Sequence, residues 1–394
     1  MSKLVGLNLI DPIDGSVLPD SVIEIDHGIV RSLESGFGES GPFAGMFAIP
    51  GLIDGHVHLT LDGGSSVRTT FQEASDDDLV RLALGNARTA AKAGVTLVRD
   101  CGWPRHLSRV LLEALRSDPL LPDVLSSGAP MTRLGGHCHF FGGEVADPSD
   151  ALRLVDELAD SGSDWLKVMV TGGGLTPGTR PQDVELSPEI LGVVINRART
   201  IGLGVAAHCH SLEGLRYCID LGVDTVEHVT MLDEYGKPAL DVALIERAAN
   251  SGVAFGPTVW AAYKTAEWIR KSGPINPNDI HALERLDSRR SNVAAFHDVG
   301  VAMVAGTDAG ATGTAFDSLA FELRCYVDAG LTPLEAIQTA TTSAANSLRL
   351  PERGRVAPGK VSDIVVLRDN PLEDISRIAN PVAVFRRGQE VRLD

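Results

Sequence analysis

The chain has 394 residues, 44% of them apolar and 22% charged, an ordinary globular balance with ample sequence for a large core. A formal charge of −17 argues against nucleic acid as a partner, because phosphate binding depends on an excess of lysine and arginine. Five scattered cysteines without a CxxC pair speak against a disulfide framework and fit reduced thiols in a cytoplasmic protein. The apolar start breaks off at Asp11 and Pro12, too early for a secretory segment, and no run approaches a membrane span.

Residues 1–46 read as short strands, with "SVIEIDHGIVRSLE" a hairpin pattern that places His27 and Gly28 at its turn. The next run, "FAIPGLIDGHVHL" (47–59), is apolar and ends in His56 and His58, with Asp54 just before them. Residues i and i+2 of a strand point to the same side, so both imidazoles can face one point from one rigid element. That suits a metal ion better than a single core histidine does.

Further β-rich runs follow at 94–102, 122–130, 164–174, 203–211, 223–232, 252–260 and 300–310. Between them lie helix-compatible stretches such as "DLVRLALGNARTAAKAG" and "SPEILGVVINRARTIG", which open on Asp or Ser-Pro and close on Gly. Eight β-runs alternating with helices predict an α/β fold, a closed parallel (β/α)8 TIM barrel. An open doubly wound sheet alternates too, and the placement of chemical residues separates the two. They fall at the C-terminal ends of the runs: His56 and His58, Asp100, Lys167, His208 and His210, His228, and Asp308. A barrel builds its sites at that end. His27, His106, His281 and His297 fall elsewhere and are assigned no role.

Residues 354–394 return to short strands in "GRVAPGKVSDIVVLRD" and "PVAVFRRGQEVRLD". The expected organisation is a barrel over 49–353 and one small β-sandwich built from 1–48 and 354–394.

An HxH on the first run, a lysine ending the fourth, histidines ending the fifth and sixth and an aspartate ending the eighth resemble the amidohydrolase superfamily. The resemblance extends to the split terminal strands and the "GKVSDIVVL" segment. It implies a binuclear metal hydrolase in which His56, His58 and Asp308 hold one divalent ion and His208 and His228 hold the second. Lys167, carbamylated by carbon dioxide, would bridge the two, with zinc the expected metal. An ammonium has no lone pair, so only the carbamate can ligate, and its two oxygens can span ions ~3.5–4 Å apart. A metal-bound hydroxide would attack the carbonyl, and Asp308 would move its proton to the leaving nitrogen.

The loop "TRLGGHCHFFGGE" resembles the GGH loop of the branch that includes imidazolonepropionase-related proteins and Xaa-Pro dipeptidases. By that likeness His137 touches the substrate's carbonyl or carboxylate. His139 and His210 are further substrate candidates, Arg133 and Arg180 could clamp a carboxylate, and Trp260 and Tyr263 could wall an apolar pocket. Many dipeptidases of this branch carry Tyr two residues after the strand-5 metal histidine, where this chain has His210.

The expected reaction is cleavage of a C–N amide bond in a small molecule: an N-acyl amino acid, a dipeptide or a xenobiotic amide. A mononuclear cyclic-amide hydrolase, a heterocycle deaminase using His210 and Glu213, and a non-enzymatic scaffold are the alternatives. The expected partner is a small-molecule amide, with no nucleic acid and no membrane, and a homo-oligomer is compatible with the sequence.

Overall fold

Alternating apolar residues near the N-terminus form three antiparallel strands, β1 (Ser2–Ile10), β2 (Val17–Asp26) and β3 (Ile29–Ser35). The β2–β3 turn places His27 and Gly28 at φ of 49° and 79°, the left-handed pair that a tight hairpin needs. The computed structural model describes residues 2–35, 41–273 and 277–393, and the side chain of His281 lies outside the described residues.

Strand β4 (Phe47–Pro50) pairs in parallel with β1 and leads directly into β5 (Leu52–Val57). The strands that follow are β6 (Val95–Asp100), β7 (Asp123–Ser126), β8 (Thr132–Arg133), β9 (Glu144–Val145), β10 (Trp165–Met169), β11 (Gly204–Ser211), β12 (Thr225–Leu232) and β13 (Ala254–Gly256). The C-terminal strands are β14 (Ile364–Leu367), β15 (Ala383–Arg386) and β16 (Gln389–Val391).

Both chain ends, expected to form a sandwich, pair strand to strand in one seven-stranded sheet of order β16-β15-β14-β4-β1-β2-β3. Its central strands bury both faces, as period-two alternation allows. Ala48, Ile364 and Val366 join a core with Leu7, Leu9, Ile23 and Ile25. Their neighbours Ile49, Val365 and Leu367 point the other way, into the main core of the molecule. The sheet is thereby fused to the rest of the protein through β4 and β14.

The central strands are parallel, in the groups β5-β6-β7 and β10-β11-β12-β13. Single parallel bridges, Met131 to Val168, Phe255 to Met303 and Val57 to Ala309, join these groups to one another and to the 303–309 segment. This alternating α/β architecture is consistent with a barrel. The eighth expected strand is not a regular one, because Asp308 turns to φ 57° and the chain leaves the strand direction.

Local signals place the intervening helices. Ser75 caps helix Asp76–Lys92 through a reciprocal bond with Asp78. Ser187 caps helix Pro188–Ile201, whose first residue is Pro188 and which ends at Gly202 with φ 81°. No helix among the described residues is long and apolar enough to cross a membrane.

Candidate metal centre and active site

The register of the parallel strands gathers the expected residues. Lys167 lies opposite Ala206, Met169 opposite His208 and Cys209 opposite His228, so three neighbouring strands deliver side chains at successive levels toward their C-terminal ends. His56 and His58 arrive from the end of β5. Ring centroids lie 5.0 Å apart for His56 and His228, 4.5 Å for His208 and His228, and 4.6 Å for His208 and His210. His137 joins from its loop, 4.7 Å from His208. Asp308 Oδ1 stands 3.3 Å from His58 Nε2 and 3.5 Å from His56 Nε2.

Apart from His137, each imidazole of the cluster has one nitrogen engaged by the surrounding protein. His56 Nδ1 meets Glu227 Oε2 at 3.0 Å, and His58 Nδ1 meets the Gly102 carbonyl at 3.3 Å. His210 Nδ1 meets Thr230 Oγ1 at 2.7 Å, and His228 Nδ1 meets Thr258 Oγ1 at 2.8 Å. In His208 it is Nε2 that meets a carbonyl, Gly172 O at 3.1 Å. Fixing one nitrogen orients the ring and directs the other toward the shared space, the usual support of a metal-binding histidine.

Electrostatics complete the donor set. Burial, followed by the Lys167 charge, lowers the His56 pKa to about 4, and burial lowers His137 to about 3. Burial likewise holds His208, His210 and His228 well below the usual histidine value. Neutral imidazoles keep a lone pair for a metal ion. Burial pushes the Asp308 carboxyl up, but the combined opposing pull of His56, His58 and Lys167 outweighs it and holds it below the usual carboxylate value. Two groups among the described residues could hold a metal ion: His208, His210 and His228, and His56, His228 and Asp308. His210 therefore sits with the candidate ligands rather than beyond them, and His228 belongs to both groups.

Lys167 is 1% exposed, and its Nζ stands 3.4 Å from His56 Nε2. It forms no ion pair with a described carboxylate. Backbone strain marks the same place: His228, Thr258 and Asp308 have φ of 71°, 48° and 57°. Non-glycine residues in this region cost of order 1–3 kcal/mol each and cluster at functional sites.

Sequence reasoning missed Glu227 and Arg99, which support the cluster from beneath. Glu227, 1% exposed, accepts from Arg99 Nη2 at 2.6 Å and from Thr225 Oγ1 at 2.6 Å besides contacting His56. Arg99 is fully buried, donates to Gly55 O at 2.7 Å and lies over the Trp165 ring. Asp54 joins β5 to the 303–309 segment by accepting from Thr307 N at 3.0 Å and Thr307 Oγ1 at 2.7 Å. Asp100 is committed to the amides of Leu59 and Gly102.

The substrate candidates divide. His137 Nδ1 is buried without a hydrogen-bond partner, and its main-chain N–H donates to Glu185 Oε2 at 2.7 Å. A Cβ on Gly173 would come within 2.4 Å of His137 Nε2, so only glycine lets that ring lie where it does. His139 turns back to Gly136 O at 3.0 Å. Arg133 pairs with Glu185 at 3.1 Å, and Arg180 forks onto Asp183 at 2.6 Å, both largely exposed. Their charges are already met by protein carboxylates. Trp260 stacks on Tyr263 and Phe321 at 5.1 and 4.8 Å.

A model of the amidohydrolase family matches residues 47–391, and the chain belongs to that family. It is a hydrolase acting on carbon–nitrogen bonds. Among curated proteins it is 28% identical to ochratoxinase from Aspergillus niger over 382 residues, covering 85% of this chain and 73% of that protein. It is 26% identical to imidazolonepropionase from Salinispora tropica over 348 residues, covering 81% and 77%. Among solved structures it resembles a Xaa-Pro dipeptidase with bound methionine, at a TM-score of 0.87, 27% identity and 99% coverage of both chains.

Proposed function

We propose that this chain hydrolyses the C–N amide bond of a small molecule at a binuclear metal centre within a closed (β/α)8 barrel. Residues 1–48 and 354–394 would form the accompanying β domain. The observation that carries this reading is the shared cluster of buried neutral histidines around Asp308 and Lys167. Relatives named ochratoxinase and Xaa-Pro dipeptidase support hydrolysis of amides.

The donor set fits divalent ions. His56, His58 and Asp308 would hold one and His208 and His228 the other, with His210 placed to join the second. Nitrogen and carboxylate ligands suit zinc. Lys167 is buried and forms no ion pair with a described carboxylate, and carbamylation would turn its cation into a bridging anion. When bound, the ions supply Lewis acidity toward the amide carbonyl and lower the pKa of water to about 7. Asp308 takes the proton of the attacking water and hands it to the leaving nitrogen. His137, with an unpartnered buried nitrogen, steadies the carbonyl or an adjacent substrate group.

Metal analysis with a panel of N-acyl amino acids, dipeptides and xenobiotic amides tests the reading. Zinc-loaded protein should hold about two ions per chain and cleave members of the panel. Lys167→Ala should lose at least one ion and its turnover, with partial rescue by a short carboxylic acid. A Lys167→Ala protein with both ions and wild-type turnover would overturn the binuclear assignment.

A further inference from the structure

Two arginines on helix Pro277–Val299 stand near the histidine cluster. Asn292 pins this helix to the end of β12, its Nδ2 donating to Val229 O and Thr230 O at 3.2 Å each. One turn back, Arg289 is 9% exposed, and its Nε donates to Thr230 Oγ1 at 3.2 Å. Its Nη1 donates to Thr258 O at 3.0 Å and Thr258 Oγ1 at 3.2 Å. Those two hydroxyls are the ones that contact His210 and His228. The guanidinium is therefore one hydroxyl removed from two candidate metal ligands, and its Nη2 makes no hydrogen bond to a described residue.

Arg285 lies four residues earlier, on the same helix face. Its Nε is buried without a hydrogen-bond partner. Both charges are felt at His210, where they oppose protonation, and the Arg285 charge is felt at Arg289. Neither arginine forms an ion pair with a described carboxylate. Burial lowers Arg289 only to about 10, so it remains a cation at neutral pH.

Two like charges desolvated on one helix face are costly, even with Asp308 and Glu322 acting on Arg289 and Glu284 on Arg285 through space. Arg133 and Arg180, by contrast, are neutralised by Glu185 and Asp183. A guanidinium fork matches the two oxygens of a carboxylate.

We infer that Arg285 and Arg289 form the carboxylate-recognition site of this hydrolase. Its substrates are then amides that carry a free carboxylate, N-acyl amino acids or dipeptides, rather than neutral amides. The inference rests on the amide-hydrolase reading for its substrates but not for its binding test.

That test is calorimetric titration of zinc-loaded protein with 3-phenylpropanoate and with 3-phenylpropan-1-ol, neither of which contains an amide. Wild type should bind the acid at least tenfold more tightly than the alcohol. Arg285→Gln should lower that preference about tenfold with metal content and circular dichroism unchanged, and Arg289→Lys should retain part of it. Equal binding of both probes by wild type would overturn the inference, as would an undiminished preference in Arg285→Gln.

Kinetics on matched N-acyl amino acids and their carboxamides separates the two ideas. If wild type cleaves both forms equally well, carboxylate recognition is wrong and amide hydrolysis stands. If the acid preference in binding holds but no amide is cleaved, the recognition site stands and the hydrolase reading fails.

Discussion

Glu227 joins His56 to a buried guanidinium, and that makes it the most exposed point of failure under the cluster. Removing its charge leaves Arg99 without a counter-ion in the interior, and breaking a buried pair in this way costs ~3–5 kcal/mol. Glu227→Gln should therefore lower the unfolding free energy by about that much and weaken metal retention. Denaturant unfolding alongside metal analysis checks this, and a variant as stable as wild type would contradict a structural role for the pair. The HxH pattern could be read from sequence because a two-residue period is local. Glu227 could not, since its partner Arg99 is 128 positions away and nothing in "TLVRD" or "TVEHV" announces the contact. The available signal was a charged residue inside an otherwise apolar β-run. The pairing of Arg180 was legible, because Asp183 lies three residues on and was in view to neutralise it.

At the scale of elements, helix Val259–Ser272 begins at Thr258 without a side-chain cap of its own. Glu322, from helix Leu319–Asp328, supplies it by accepting from Val259 N at 2.8 Å and Trp260 N at 2.6 Å. Burial pushes this carboxyl from its ordinary 4.5 up to about 7, against the amide bonds that pull it down. A group with a raised folded pKa contributes stability that is complete below its unfolded pKa and is lost as pH rises through the folded one. Relative to Glu322→Gln, wild type should lose about 3 kcal/mol between ~pH 4.5 and ~pH 8. Urea unfolding at a series of pH values measures it, and parallel profiles for the two proteins would refute it. Helix limits were readable where caps are local, as at Ser187-Pro188 and Gly202. The 300–310 run misled because its apolar residues suit a strand while the φ of Asp308 answers to the cluster around it.

For the molecule as a whole, Asp123 at the start of β7 accepts from Arg353, Arg386 and Arg387. It ties the C-terminal strands to the parallel ones, and both Arg353 and Arg386 are buried. Asp123→Ala should destabilise the protein by ~3 kcal/mol and lower one cooperative transition rather than release the terminal sheet first. Differential scanning calorimetry distinguishes the outcomes, and two resolved transitions would show that the sheet melts independently. The terminal strands were visible as strands, but the β4–β14 pairing was not, because no local feature of "FAIP" points to "IVVL".

That pairing sets an order on biosynthesis. On the ribosome, β4 and β1 emerge some three hundred residues before β14, β15 and β16. Until then the nascent chain presents β4 as an open edge with apolar residues on both faces, the kind of surface that recruits chaperones or a second chain. A chain halted before residue 364 therefore keeps that edge open, and the arrival of β14 is the event that closes it.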